Sequence, residues 1–72
     1  MNIIGPKIRR LRELNNMTQE ELTAQCNLLG WNISRGTLAK IESQARRVTD
    51  SEVVMIAKAL NVDISELYEE PK

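Results

Sequence analysis

The feature that most restricts this chain is its punctuation. A Thr or Asp followed three residues later by Glu occurs at Thr18–Glu21, Thr49–Glu52 and Asp63–Glu66. In each, the first side chain can accept a free N–H of the first helical turn while the Glu reaches back to the N–H of the capping residue, so each box marks a helix start. Ser34 is a further N-cap ahead of Leu38 and Ile41. Gly5-Pro6 opens the first helix, because Pro at the first helical position loses only an N–H that would be unpaired anyway. Stop signals follow each start: Asn15-Asn16 with Asn16 in the left-handed cap position, then Gly30, Asn61 and Pro71. Starts and stops this close permit only short helices. With no strand pattern, repeat or low-complexity tract, the expected fold class is all-α: a compact five-helix bundle forming one domain over residues 1–72.

The apolar rhythm agrees. Ile4, Ile8 and Leu11 recur at helical spacing in the first helix; Leu22, Cys26 and Leu29 do so in the second, where Met17 and Leu22 bracket the first turn. Val53, Ile56, Ala57 and Leu60 line the fourth. Ile33 should point inward just before Ser34, and Trp31 should cover the core, because a chain of 72 residues buries only about 60% of its unfolded surface and needs every large apolar group.

Composition removes whole classes of function. There is no histidine and one cysteine, so the parts for a metal site, a disulfide framework or nucleophile–base catalysis are missing; an enzyme, a cofactor and a metal are not expected. Cys26, four residues from Leu22, reads as a small buried hydrophobe in a reducing compartment. No apolar run approaches the roughly 18 residues of a membrane span, and MNIIGPKIRR lacks a signal-peptide apolar region, so a cytoplasmic location and no membrane partner are expected.

Net charge is zero, yet it is unevenly placed. Up to Thr49 eight basic side chains stand against four acidic ones; from Asp50 onward two stand against six. Such polarity can steer one face toward a polyanion although the sum vanishes. Within the basic part, ISRGTLAKIE (33–42) puts Leu38 and Ile41 on one helical face and Arg35, Gly36 and Lys40 on another. The exposed positions cluster at the helix N-terminus, where free N–H groups and the positive dipole end favour phosphate.

The segments TQEEL, ISRGTLAKIE and IAKALNVDISELY, in that order, resemble the Cro/C1-type (XRE family) helix-turn-helix DNA-binding domains over nearly the whole chain. The resemblance implies a five-helix bundle of the lambda-repressor-like type and sequence-specific binding of double-stranded DNA as a homodimer. It implies that Gln19 caps helix two near a phosphate and helps position the recognition helix. Ser34, Arg35, Gly36, Thr37 and Lys40 match the positions that meet phosphate or base edges, and Arg46 and Arg47 lie in the loop that runs along the DNA backbone. Arg12 and Glu42 match a pair that in this family forms a salt bridge between helix one and the end of helix three. The chemistry of the residues is suited to this: Arg can bond guanine O6 and N7 through both arms of its fork, Lys reaches the same acceptors, and Gly leaves room for close approach.

Two departures stand out. Between Leu22 and Ser34 the chain holds five residues more than the simplest family spacing, including Leu28, Leu29 and Trp31 read as an apolar cluster, so an extended helix 2 to helix 3 connection of about one extra turn plus a longer connector is expected. Gly36 stands where a side chain usually projects, which implies fewer bases read directly. The resulting expectation is a transcriptional regulator, a repressor that occupies a palindromic operator, with Ile64, Leu67 and Tyr68 as a dimer contact and no small-molecule ligand. The alternative is a helix-turn-helix protein-interaction module, antitoxin-like or an adaptor, with weak DNA affinity.

Overall fold

In the computed structural model, which describes residues 4–68, five helices follow one another: α1 (Gly5–Leu14), α2 (Gln19–Leu28), α3 (Arg35–Glu42), α4 (Asp50–Leu60) and the single turn α5 (Ser65–Tyr68). Among the described residues there is no strand. Pro71, the expected stop for α5, lies outside them.

The caps form as the sequence reading expects. Thr18 and Thr49 each accept from the N–H three residues on, while Glu21 and Glu52 accept from the capping N–H, at 2.9–3.3 Å. Ser34 accepts from the Thr37 N–H at 3.1 Å. The box at Asp63 is shifted: Glu66 accepts from the Asp63 N–H as expected, but the Asp63 carboxylate takes the Ser65 N–H, one residue earlier. The first four helices share one stop. Past each last turn a residue of positive φ (Asn16, 55°; Gly30, 97°; Gln44, 70°; Asn61, 58°) lets two N–H groups fold back onto the final carbonyls. These paired bonds, such as Trp31 N–H to the Cys26 carbonyl and Gly30 N–H to that of Asn27, satisfy groups the helix leaves orphaned.

α2 packs on α4 and α3, and α1 packs on α3 and α4. The core they enclose is built from Ile8, Leu22, Cys26, Leu38, Ile41, Val53 and Ile56, all essentially without solvent contact, with Ile33 and Leu60 at its margins. Leu67 belongs to this core, at 1% exposure, so of the proposed dimer contact only Ile64 and Tyr68 reach the surface. A short turn with one large apolar residue must bury it somewhere, and the core is the nearest place.

The longer connection also differs from the expected cluster. Leu28 is 79% exposed and Leu29 43%, whereas Trp31 lies half-buried against the core. The turn at Gly30 separates them. Helical spacing puts Leu28 off the buried face of α2, whereas Leu29, in register with Leu22 and Cys26, lies past the last turn as the C-cap and is left half-exposed; the reversal then brings Trp31 back against the core. The connector (29–34) is held by the Asn27 side chain, whose amide donates to the carbonyls of Trp31 (2.9 Å) and Ile33 (3.1 Å).

Candidate nucleic-acid interface

α3 is seated by its inner face and fixed at its C-terminal end. Leu38 and Ile41 are fully buried, and Glu42, the last residue, is 6% exposed. Its carboxylate receives Arg12 of α1 through both oxygens, Nε at 2.8 Å and Nη2 at 3.0 Å, while Arg12 Nη1 donates to the Met17 carbonyl at 2.7 Å. The expected Arg12–Glu42 pair therefore forms, and it is a buried fork. Hydrogen bonding to Glu42 holds the Arg12 proton more tightly than usual, the guanidinium staying charged despite its burial. Gln19 joins the same carboxylate, its amide donating to Oε1 at 3.1 Å. One buried carboxylate thus ties the first turn of α2, the last turn of α1 and the last turn of α3 together.

A second lock is purely steric. Gly5, the first residue of α1, is buried, and a Cβ built there would lie 2.2 Å from the Ile41 carbonyl oxygen and 3.0 Å from that of Glu42. The N-terminal end of α1 therefore abuts the C-terminal end of α3, an arrangement in which opposite ends of two helix dipoles meet. In the sequence Gly5 marks only a helix start. A lone Gly before Pro carries no signal that distinguishes a start from a close approach.

On the opposite face of α3, Ser34, Arg35, Gly36 and Lys40 are exposed, and Thr37 is half-buried. The Ser34 and Thr37 hydroxyls lie 3.0 Å apart. Around Gly36 there is open space, its nearest non-local atom being Ser34 Oγ at 3.9 Å from a notional Cβ. Two cations, a small gap between them and a helix N-terminus share this surface. Arg9 of α1 lines the cleft beside it with Gln19, Ala39 and Ser43.

The loop after α3 (43–49) presents its two arginines differently. Arg47 is exposed. Arg46 turns back to the protein: Nη1 and Nη2 reach the two carboxylate oxygens of Glu52 at 3.1 and 2.9 Å, and Nη1 also donates to the Arg47 carbonyl at 3.1 Å. That fork holds the Glu52 carboxyl below the usual carboxylate range, with the Thr49 N–H adding to the effect. In the sequence Glu52 shows only as a cap, because a partner six residues away across a loop has no helical or strand spacing to mark it.

A helix buried on one side, carrying cations on the other, and preceded by a helix that braces it defines a helix-turn-helix protein. The comparisons with known proteins place it further. A family model described as helix-turn-helix matches residues 8–67. Control protein C.SmaI of Serratia marcescens is 32% identical over 65 residues, covering 90% of this chain and 71% of that protein. No solved structure matches. The chain belongs to the Cro/C1-type helix-turn-helix family and is a DNA-binding transcriptional regulator. The family is one of DNA-binding regulators and not a class of enzymes. Among the described residues, no helix is long and apolar enough to cross a membrane.

Proposed function

We propose that the protein acts as a cytoplasmic repressor, a single helix-turn-helix domain that binds a palindromic operator as a homodimer. The observation that carries this reading is the exposed set Arg35, Gly36 and Lys40 on a helix whose inner face is wholly buried and whose end is fixed by the Arg12–Glu42 fork. Arg35 and Lys40 read base edges in the major groove, and the open space at Gly36 lets the helix backbone approach the bases. Ser34, Thr37 and the free N–H groups of the first turn meet phosphate, with Gln19 alongside and Arg47 on the flanking backbone.

Supporting a dimer, Ile64 and Tyr68 leave apolar surface at α5. A two-fold operator needs recognition helices about 34 Å apart, one turn of DNA. The molecule measures 32 × 23 × 21 Å, which suits one copy per turn.

The test is selection from a random duplex library at about 0.1 M salt, followed by titration of the winner at several salt concentrations. An enriched inverted repeat whose affinity falls steeply with salt supports the reading. Arg35→Ala should then cost about 1–3 kcal/mol on that duplex and relax one base position, while Arg47→Ala weakens all sequences alike. Equal losses on selected and random duplex for Arg35→Ala would remove its base-reading role.

The second reading, a protein-interaction module, is favoured by one observation, the exposure of Leu28 and Leu29 at the end of α2. It predicts no enriched sequence and a partner interaction that salt hardly weakens.

A further inference from the structure

We propose that Arg46 is a positioning residue, which with Glu52 clamps the α3–α4 loop so that Arg47 is presented to the DNA backbone, and that Arg46 is not itself a phosphate contact. The inference rests on the DNA-binding reading above and deepens it. Family resemblance places Arg46 and Arg47 together on the DNA backbone; the geometry separates them.

Three N–H bonds of the Arg46 guanidinium are directed back into the protein, two to Glu52 and one to the Arg47 carbonyl. A planar fork spent on a carboxylate in this way is no longer oriented for a phosphate. The anchor is itself anchored. Glu52 Oε1 also accepts from the Thr49 N–H at 2.9 Å, so the carboxylate is fixed to the first turn of α4, whose Val53 and Ile56 are in the core. At its other end the Arg46 N–H donates to the Lys40 carbonyl at 3.2 Å, beside the Ala45 N–H at 2.9 Å on the same oxygen. The chain of contacts therefore runs from α4 through Glu52 and Arg46 to the Arg47 peptide and to the end of the recognition helix. Arg47, exposed at the tip of this brace, is left as the loop's cation for phosphate.

The two roles predict opposite signs for one substitution. Glu52→Gln removes the ion pair while keeping the cap, since Gln serves at that position of a capping box. If Arg46 contacted phosphate, Glu52→Gln would release it and delete a nearby negative charge, and DNA binding would tighten. Under the clamp, binding weakens by about tenfold, as it does for Arg46→Gln, and the double variant is no weaker than either single one. Arg46→Lys separates the roles again, because Lys keeps a phosphate charge but cannot supply the fork.

The experiment measures affinity of the full chain and these variants for the selected duplex, at a temperature where helical circular dichroism shows each to be folded. It adds Arg47→Gln alone and in the Arg46→Gln background. The expected result is a loss for Glu52→Gln and for Arg46→Lys, with the effect of Arg47→Gln much reduced once Arg46 is gone. A contribution to folding alone would leave the affinity of the folded protein unmoved. Glu52→Gln binding as well as the wild type or better, or Arg46→Lys binding normally, overturns the clamp. A wild-type chain that binds no duplex overturns instead the DNA-binding reading on which it rests.

Discussion

Two helical glycines in this chain should respond to alanine with opposite signs. At Gly5 the new Cβ would meet the Ile41 carbonyl oxygen at 2.2 Å, where ordinary contact begins at 3.4 Å, so the two backbones must part by about 1.2 Å. Neither obstacle is a flexible side chain: both are carbonyls of the last turn of α3, the turn that carries Glu42 into its fork with Arg12. Overpacking of this kind costs about 1–3 kcal/mol, while the loss of unfolded-chain freedom on replacing Gly returns about 0.4–1 kcal/mol. The net for Gly5→Ala is a loss of up to about 2.6 kcal/mol, weighted to the upper end because backbone must move. For a chain of this length, with total stability of about 4–11 kcal/mol, that is a large fraction. At Gly36 a Cβ meets open space, so the favourable part stands alone and Gly36→Ala gains about 0.4–1 kcal/mol. Urea unfolding followed by helical circular dichroism should show the midpoints moving in opposite directions with an unchanged slope. In thermal unfolding each kcal/mol corresponds to about 4–8 °C. A Gly5→Ala midpoint at or above the wild type would refute the close approach of α1 to α3.

Other outcomes follow from the buried groups. Glu42→Gln leaves the Arg12 guanidinium buried without its counter-charge and should cost about 3–5 kcal/mol, read by the same urea unfolding; a shift under 1 kcal/mol would mean that the pair is far better solvated than its burial implies. Glu52 titrates below its unfolded value, of about 4.3 for Glu, because Arg46 hydrogen-bonds it, so its contribution to stability is full above that pH and is lost as pH falls through the lower folded value. The stability gap between wild type and Glu52→Gln should therefore narrow on acidification from neutrality to about pH 3, and a gap independent of pH would contradict the ion pair. Cys26 has no solvent contact, and burial pushes its thiol up to about 11, so its reaction with a thiol reagent at neutral pH should proceed only through unfolding and track urea concentration. Rapid modification of the folded protein would show that the site opens locally.

Much of the fold is legible because its boundaries are written in local chemistry. Thr18, Ser34 and Thr49 act on backbone groups within three residues of themselves, and Asn16 and Gly30 supply the positive φ that the stops require, so neither depends on tertiary context. The exposed face of α3 is legible for the same reason, since helical period alone separates Arg35, Gly36 and Lys40 from Leu38 and Ile41. What capping and helical period do not disclose is contact between elements, which for Arg12 and Glu42 comes only through the family resemblance. Gly5 beneath the Ile41 carbonyl and Arg46 on Glu52 depend on where two elements end in space. Leu67 shows the limit for a single turn, which is too short for periodicity to tell a closing residue from a docking one.

The longer α2–α3 connection raises the question of what sets the angle of the recognition helix, since the connector cannot be the short turn that usually does so. Part of the answer lies at the far end of α3. Glu42 is held by Arg12 from α1 and Gln19 from α2, and the carbonyls of Ile41 and Glu42 rest against Gly5. With Leu38 and Ile41 in the core, these contacts fix the C-terminal end of α3, while its N-terminal end is held by the buried Ile33 and the Ser34 cap. The connector is fastened to α2 by the Asn27 amide and the Trp31 N–H to Cys26 carbonyl bond and to the core by Trp31 and Ile33, while Leu28 and Leu29 stay exposed. If α3 docks on DNA as proposed, substitutions at Gly5, Arg12, Gln19 and Glu42, outside its exposed face, should change the sequence enriched by duplex selection, while changes at Leu28 or Leu29 should leave it the same.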